Sequence, residues 1–174
     1  FWFKKYQKKN KFTIIYRNLY NKENISDIKK FRNLCKTKKI KFFIANDFDL
    51  LISTNSDGIY LSASNKSYKS LYLNKTKFKI MGSAHNLKEI YLKKKQGCTK
   101  ILFSKLFLVD YDQKAPFLGI NKFNKYYHYI SQRLVPLGGI KISNLNLLKD
   151  LGSDAVAIYS AIKKKPAKII NRLF

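Results

Sequence analysis

Groups able to move a proton near neutral pH are scarce in this chain of 174 residues, which holds 2 histidines and 2 cysteines. His85 follows an apolar run at 78–83 and precedes a stretch with helical spacing, which puts it at a strand end. An imidazole there can serve as acid and base, though a lone histidine also serves packing. His128 lies among Tyr126, Tyr127 and Tyr129 on a helical pattern and reads as outer-surface packing. Cys35 and Cys98 lack CxxC spacing. Neither a metal site nor a disulfide framework is expected of them, only two thiols of a reducing compartment.

Anion binding has a clearer signal. Leu137-Gly138-Gly139-Ile140 ends a strand pattern, and Ser143-Asn144 opens a helical one. Paired glycines let backbone amides approach an anion with no Cβ in the way. Downstream, an apolar run at 155–159 breaks at Ser160. Phosphates commonly sit between the loops after the last two strands of a (β/α) barrel, at the start of a short helix. Gly138, Gly139, Tyr159 and Ser160 are therefore the expected phosphate ligands, against the plainer reading of a tight turn. Arg17, at the end of another strand pattern, can pair with a substrate phosphate. A plain ion pair with Asp47 or Asp49 is the alternative.

The elements that must position these groups are legible as alternation. Runs of β-branched or aromatic residues at 13–17, 40–45, 57–61, 78–83, 100–103, 133–138 and 155–159 predict seven strands. Several are almost continuously apolar, as parallel strands covered by helices are. Between them the clearest helix is at 25–38, with Ile25, Ile28, Phe31, Leu34 and Cys35 in one stripe and Asn24 as N-cap,. A second helix should begin after Asn86 and stop at Gly97, and a third should be capped by Ser143 and closed by Gly152,. Strand and helix alternation leaves a closed barrel or an open doubly wound sheet. No GxGxxG or GxxxxGK[ST] follows the first strand, so a (β/α)8 TIM barrel is expected,. Seven units instead of eight imply that the first is missing, truncated or hidden within residues 1–11.

Length and composition fit one domain over residues 1–174, with 45% hydrophobic residues arguing against disorder,. The formal net charge of +26 ordinarily points to a polyanion,. Here the excess is mostly Lys and accompanies abundant Asn, Ile, Phe and Tyr, the signature of A/T-rich codons. The cations are also spread from Lys4 to Lys168, so a nucleic-acid partner is disfavoured against a solvated basic surface,. No run is long and apolar enough to span a bilayer and no signal peptide is visible,. The cytoplasm is the expected compartment.

In chain order, Asp57-Gly58-Ile59-Tyr60-Leu61, Ser83-Ala84-His85, Leu118-Gly119, Gly138-Gly139-Ile140 with Asn144, and residues 152–162 resemble the motifs of thiamine phosphate synthase and its relative thiazole tautomerase. Arg17 falls where that family has an arginine in its first strand. The resemblance covers residues 13–162 and implies a (β/α)8 barrel of thiamine biosynthesis. It implies joining a pyrimidine diphosphate to a thiazole phosphate with loss of diphosphate, and Mg2+ held by two aspartates. Aligned without gaps, those two positions are Asn46 and Asn65, whose amides bring no charge. Asp47 stands next door, and a shift of one residue would restore one carboxylate.

Other departures fall at the same end. Ile15 and Leu19 replace a glutamine and a lysine, Tyr60 replaces a histidine, and Val109-Asp110-Tyr111-Asp112 replaces a lysine-bearing loop. Acidic residues there would repel a diphosphate. The resemblance therefore assigns His85 and Ser83 as catalytic, Gly138, Gly139, Tyr159 and Ser160 to phosphate, and Arg17, Asn46 and Asn65 to substrate. No cofactor is expected unless Asn46, Asp47 and Asn65 still support Mg2+. The expected partner is a small phosphorylated substrate, and oligomeric state is not legible. Two alternatives stay open: a metal-independent tautomerase using His85, and a non-catalytic barrel binding a phosphate ligand or RNA.

Overall fold

A computed structural model describes residues 12–17, 24–112, 114–131 and 133–159. The chain divides into two compact units, Phe1–Met81 and Gly82–Phe174.

In the first unit, β1 (Thr13–Tyr16), β2 (Lys41–Ala45) and β3 (Gly58–Leu61) lie in chain order. Their registers are parallel, Thr13 facing Lys41 and Ile44 facing Ile59. Phe42, Phe43 and Ile44 are all buried, so β2 is covered on both faces,. The helix α1 (Ile25–Thr37) starts where expected: Asn24 accepts from Ser26 N at 3.1 Å,. Its buried stripe is narrower than the spacing predicted. Ile28 and Cys35 are buried, whereas Ile25 and Leu34 stay exposed at 49% and 44%. Phe31 meets Phe42 edge to face, centroids 5.7 Å apart, so one line of side chains suffices to seat the helix on β2,. A short helix absent from the sequence reading, α2 (Phe48–Thr54), follows β2 at once, with Asp47 as its N-cap. Gly58 is required by crowding: a Cβ there would stand 2.1 Å from the Lys79 carbonyl oxygen.

Strand β4 (Lys79–Ala84) ends within the second unit, where β5 (Lys100–Ser104) and β6 (Arg133–Leu137) follow it in order. Residues of β5 and β6 pair in parallel from Lys100 with Arg133 to Ser104 with Leu137. The helix α3 (Leu87–Lys95) opens on Asn86, which accepts from Glu89 N at 3.0 Å, and Gly97 follows it at φ 81°,. Helix α4 (Gly119–Tyr129) packs Phe123 and Tyr126 against Phe103. The expected third helix is a 3-10 helix over Ile142–Asp150, and Lys141, not Ser143, occupies its N-cap. The expected strand at 155–159 contracts to one parallel bridge, Leu137 with Ala157, closed by Ala157 N donating to Pro136 O at 2.9 Å. The fold is thus α/β with six strands among the described residues. The barrel unit sought in residues 1–11 lies outside them. No helix of the described residues is long and apolar enough to cross a membrane.

Candidate functional site

Each unit presents polar groups just past the ends of its own strands. In the second unit His85 follows β4 directly. Its Nδ1 lies 2.8 Å from Ser104 Oγ, at the end of β5. Glu89, in the first turn of α3, accepts from the His85 backbone N at 2.7 Å and from Asn86 Nδ2 at 3.0 Å, so the turn carrying the imidazole is pinned from behind,. The His85 residue is exposed and Ser104 is buried, which leaves the ring accessible at one end and anchored at the other. Ser83, two residues before His85, is buried within β4.

The register then carries the site onward. Ser104 faces Leu137, the residue before Gly138-Gly139. Both glycines adopt positive φ, 97° and 69°. Phe107 N donates to Gly138 O at 3.1 Å, and a Cβ on Gly139 would stand 2.4 Å from Phe107 O. The glycine pair therefore has one clear cause in the close approach of the loop after β5. Asn144 locks the same turn, donating from Nδ2 to Gly139 O at 2.8 Å and accepting from Lys141 N at 2.8 Å. Tyr159 is exposed, and Ser160 lies outside the described residues. The acidic loop is less repulsive than its sequence suggests: Asp112 pairs with Lys105 at 3.3 Å and Asp110 with Lys141.

In the first unit Asn46 follows β2 in the left-handed conformation, φ 61°, which Asn tolerates better than most residues,. Its Oδ1 accepts from Ser62 N at 3.0 Å and from Asn65 Nδ2 at 3.0 Å, and its Nδ2 donates to Ser62 Oγ at 3.1 Å. Ser62 Oγ also meets Ser64 Oγ at 3.0 Å. Asn46 and Asn65 are thus brought together by a direct hydrogen bond. Asp47 turns to its own helix, accepting from Leu50 N at 2.8 Å. Among the described residues Arg17 forms no ion pair with Asp47 or Asp49, and its side chain is exposed. The cluster around Asn46 is neutral and its oxygen already accepts twice, a donor set that does not fit Mg2+. No group of three or more His, Cys, Asp or Glu able to hold a metal occurs among the described residues.

Ser104, Ser62 and Glu89 were missed by sequence reasoning. Ser104 closes an apolar run, and a polar residue in that place is the signal that would have found it. His128, exposed on α4, meets the Tyr127 ring edge-on with centroids 5.8 Å apart.

Comparison with known proteins supports the family resemblance. Residues 5–162 match the family described as thiamine monophosphate synthase. A thiamine-phosphate synthase of Prochlorococcus marinus is 28% identical over 139 residues, which is 79% of this chain and 40% of that protein. One from Clostridioides difficile is 26% identical, covering 85% of this chain and 71% of its own length. Another, from Thermoplasma acidophilum, is 27% identical, covering 92% and 82%. The solved thiamine phosphate pyrophosphorylase of Pyrococcus furiosus has the same fold at TM-score 0.69 and 17% identity, over 99% of this chain and 89% of that one. With the match spanning most of the sequence, the chain belongs to the thiamine monophosphate synthase family.

Proposed function

We propose that the chain is a (β/α)8 barrel of thiamine biosynthesis that binds a thiazole phosphate, and that the Mg2+ and diphosphate end of a synthase reaction is eroded in it. The observation that carries this reading is the continuous run from His85 through Ser104 to Leu137 and Gly138: a proton-handling imidazole bonded at 2.8 Å to the strand end whose register partner opens the glycine turn. Amides of Gly138 and Gly139, with Tyr159 and Ser160, are assigned to the phosphate. His85 is assigned proton transfer on the bound heterocycle, with Ser104 and Ser83 behind it. Arg17, Asn46 and Asn65 are assigned substrate contacts made by hydrogen bonds and one cation, with no metal. The two buried, unpaired thiols suit a reducing cytoplasm,.

The test is a calorimetric titration of the full chain with thiazole phosphate in the absence of Mg2+. Micromolar binding that is lost in Gly139→Asp is expected, with little or no thiamine phosphate formed when the pyrimidine diphosphate and Mg2+ are added. Failure to bind overturns the ligand, and ready synthesis overturns the erosion. A second reading, a metal-independent thiazole tautomerase, is favoured by the same His85 to Ser104 contact. It requires proton exchange on the thiazole phosphate that disappears in His85→Ala.

A further inference from the structure

We propose that the first unit carries a second anion site, at the starting ends of its strands, for a small multiply charged phosphate compound of the di- or triphosphate class. A surface cavity of about 300 Å3 opens there. Arg32 and Lys36 reach it from one turn to the next of α1, Lys41 and Lys79 from the first residues of β2 and β4, and Lys77 from just before β4. Among the described residues five of the eight that line it are cations, where 36 Lys and Arg among 174 residues would place one or two, so the general basicity of the chain does not account for them. Asp57 is the single carboxylate of the lining among the described residues, and its Oδ2 already accepts from Phe42 N at 2.9 Å.

The cavity is also partly preorganised. Arg32 Nε and Nη2 both donate to Asn55 O, at 3.0 and 2.8 Å, and Asn55 holds a left-handed turn at the end of α2. Two of the five guanidinium N–H donors are spent in fixing the group, and a planar fork so held loses little entropy on meeting an oxyanion. Cations gathered in one concavity repel each other, and a ligand with several negative charges relieves that repulsion where a neutral one does not. Among the described residues no aromatic side chain lines the cavity, which disfavours single-stranded nucleic acid, whose bases stack on rings,. Asn46, Ser62 and Asn65 follow the opposite ends of β2 and β3, roughly 13 Å away along a five-residue strand,. The site is therefore distinct from theirs and independent of the thiazole phosphate reading.

The probe is inorganic triphosphate, titrated into the full chain without divalent metal at two salt concentrations. One saturable site is expected, weakening as salt rises. The double variant Lys36→Ala, Lys79→Ala removes two exposed charges and is expected to weaken binding at least about tenfold. A control variant of α3, Lys88→Ala with Lys95→Ala, should leave it unchanged, and saturating thiazole phosphate should not displace it. Equal weakening by the control pair, many equivalent sites, or displacement by thiazole phosphate overturns the proposal. Preferential binding of an RNA oligonucleotide that is lost in the same double variant overturns it in favour of a nucleic-acid surface.

Discussion

Asn65 Nδ2 donates to Asn46 Oδ1 across 3.0 Å, closing a neutral contact between the ends of two neighbouring strands. Two carboxylates at that separation would repel unless a cation stood between them. Amides remove the need for the cation, because one supplies the donor and the other the acceptor.

Restoring the carboxylates should restore the dependence on a cation. Asn46→Asp with Asn65→Asp is expected to lower stability by about 1–3 kcal/mol in chelator, from the lost hydrogen bond and the new repulsion, and millimolar Mg2+ should recover most of it. Thermal melts with and without Mg2+ measure this. A parent chain that itself gains several degrees from Mg2+ would show that the neutral reading is mistaken.

The Ser104 hydroxyl at His85 Nδ1 fixes the ring's orientation and, through its own donor choice, the tautomer presented outward,. If the rim performs proton transfer on a thiazole phosphate, His85→Ala should cost about 10²–10⁴-fold in turnover. Ser104→Ala should cost less, roughly tenfold, with KM nearly unchanged and an altered pH profile, because it acts through the ring. A Ser104→Ala enzyme with the parent profile would remove it from the positioning role.

His85 was legible in the sequence because a strand pattern ended beside it; Ser104 was not, because the partner lies 19 residues on and depends on how β4 and β5 are aligned. The same logic separates the elements. The buried runs of β2 and β6 announced themselves, whereas α2 did not, since its seven residues are too few to display a helical period,. Its cap, Asp47, therefore looked like a spare metal ligand when its carboxylate is spent on Leu50 N. The stretch after Ser143 carried helical spacing, yet Asn144 is tied to Gly139 and the turn tightens to a 3-10 helix,.

Two glycines separate crowding from backbone conformation. A Cβ at Gly58 would meet Lys79 O at 2.1 Å and Phe43 Cε1 at 2.5 Å, and the first is backbone that cannot swing away. At Gly119, φ is 69° but nothing lies within 4 Å of the added carbon. Gly58→Ala should cost upwards of about 3 kcal/mol or abolish folding. Gly119→Ala should cost about 1–2 kcal/mol, the strain of left-handed backbone alone. Denaturant midpoints compare them, and equal losses would mean that the strands part easily at Gly58.

A buried lysine and a buried thiol set opposite pH slopes in the second unit. Lys93 is fully buried, donates to Gln96 Oε1 at 3.0 Å, and has its pKa lowered from 10.5 chiefly by desolvation. The unfolded chain then binds that proton more readily, so the penalty fades and stability rises as pH climbs toward 10.5,. Burial pushes the Cys98 thiol the other way, from 9.0 up to about 12, with Lys93 opposing part of the shift. The folded thiol keeps its proton where the unfolded one loses it, so this contribution is present below pH 9.0 and is lost as pH rises toward about 12,. Cys35, raised by burial and then by the Asp57 charge, adds to the same fall. Urea midpoints between neutral and strongly alkaline pH should therefore pass through a maximum. Lys93→Met should flatten the rising side, and Cys98→Ala should soften the falling side, with Cys35→Ala in addition softening it further. Variants that keep the parent's slopes on both sides would show that neither group titrates differently in the folded chain.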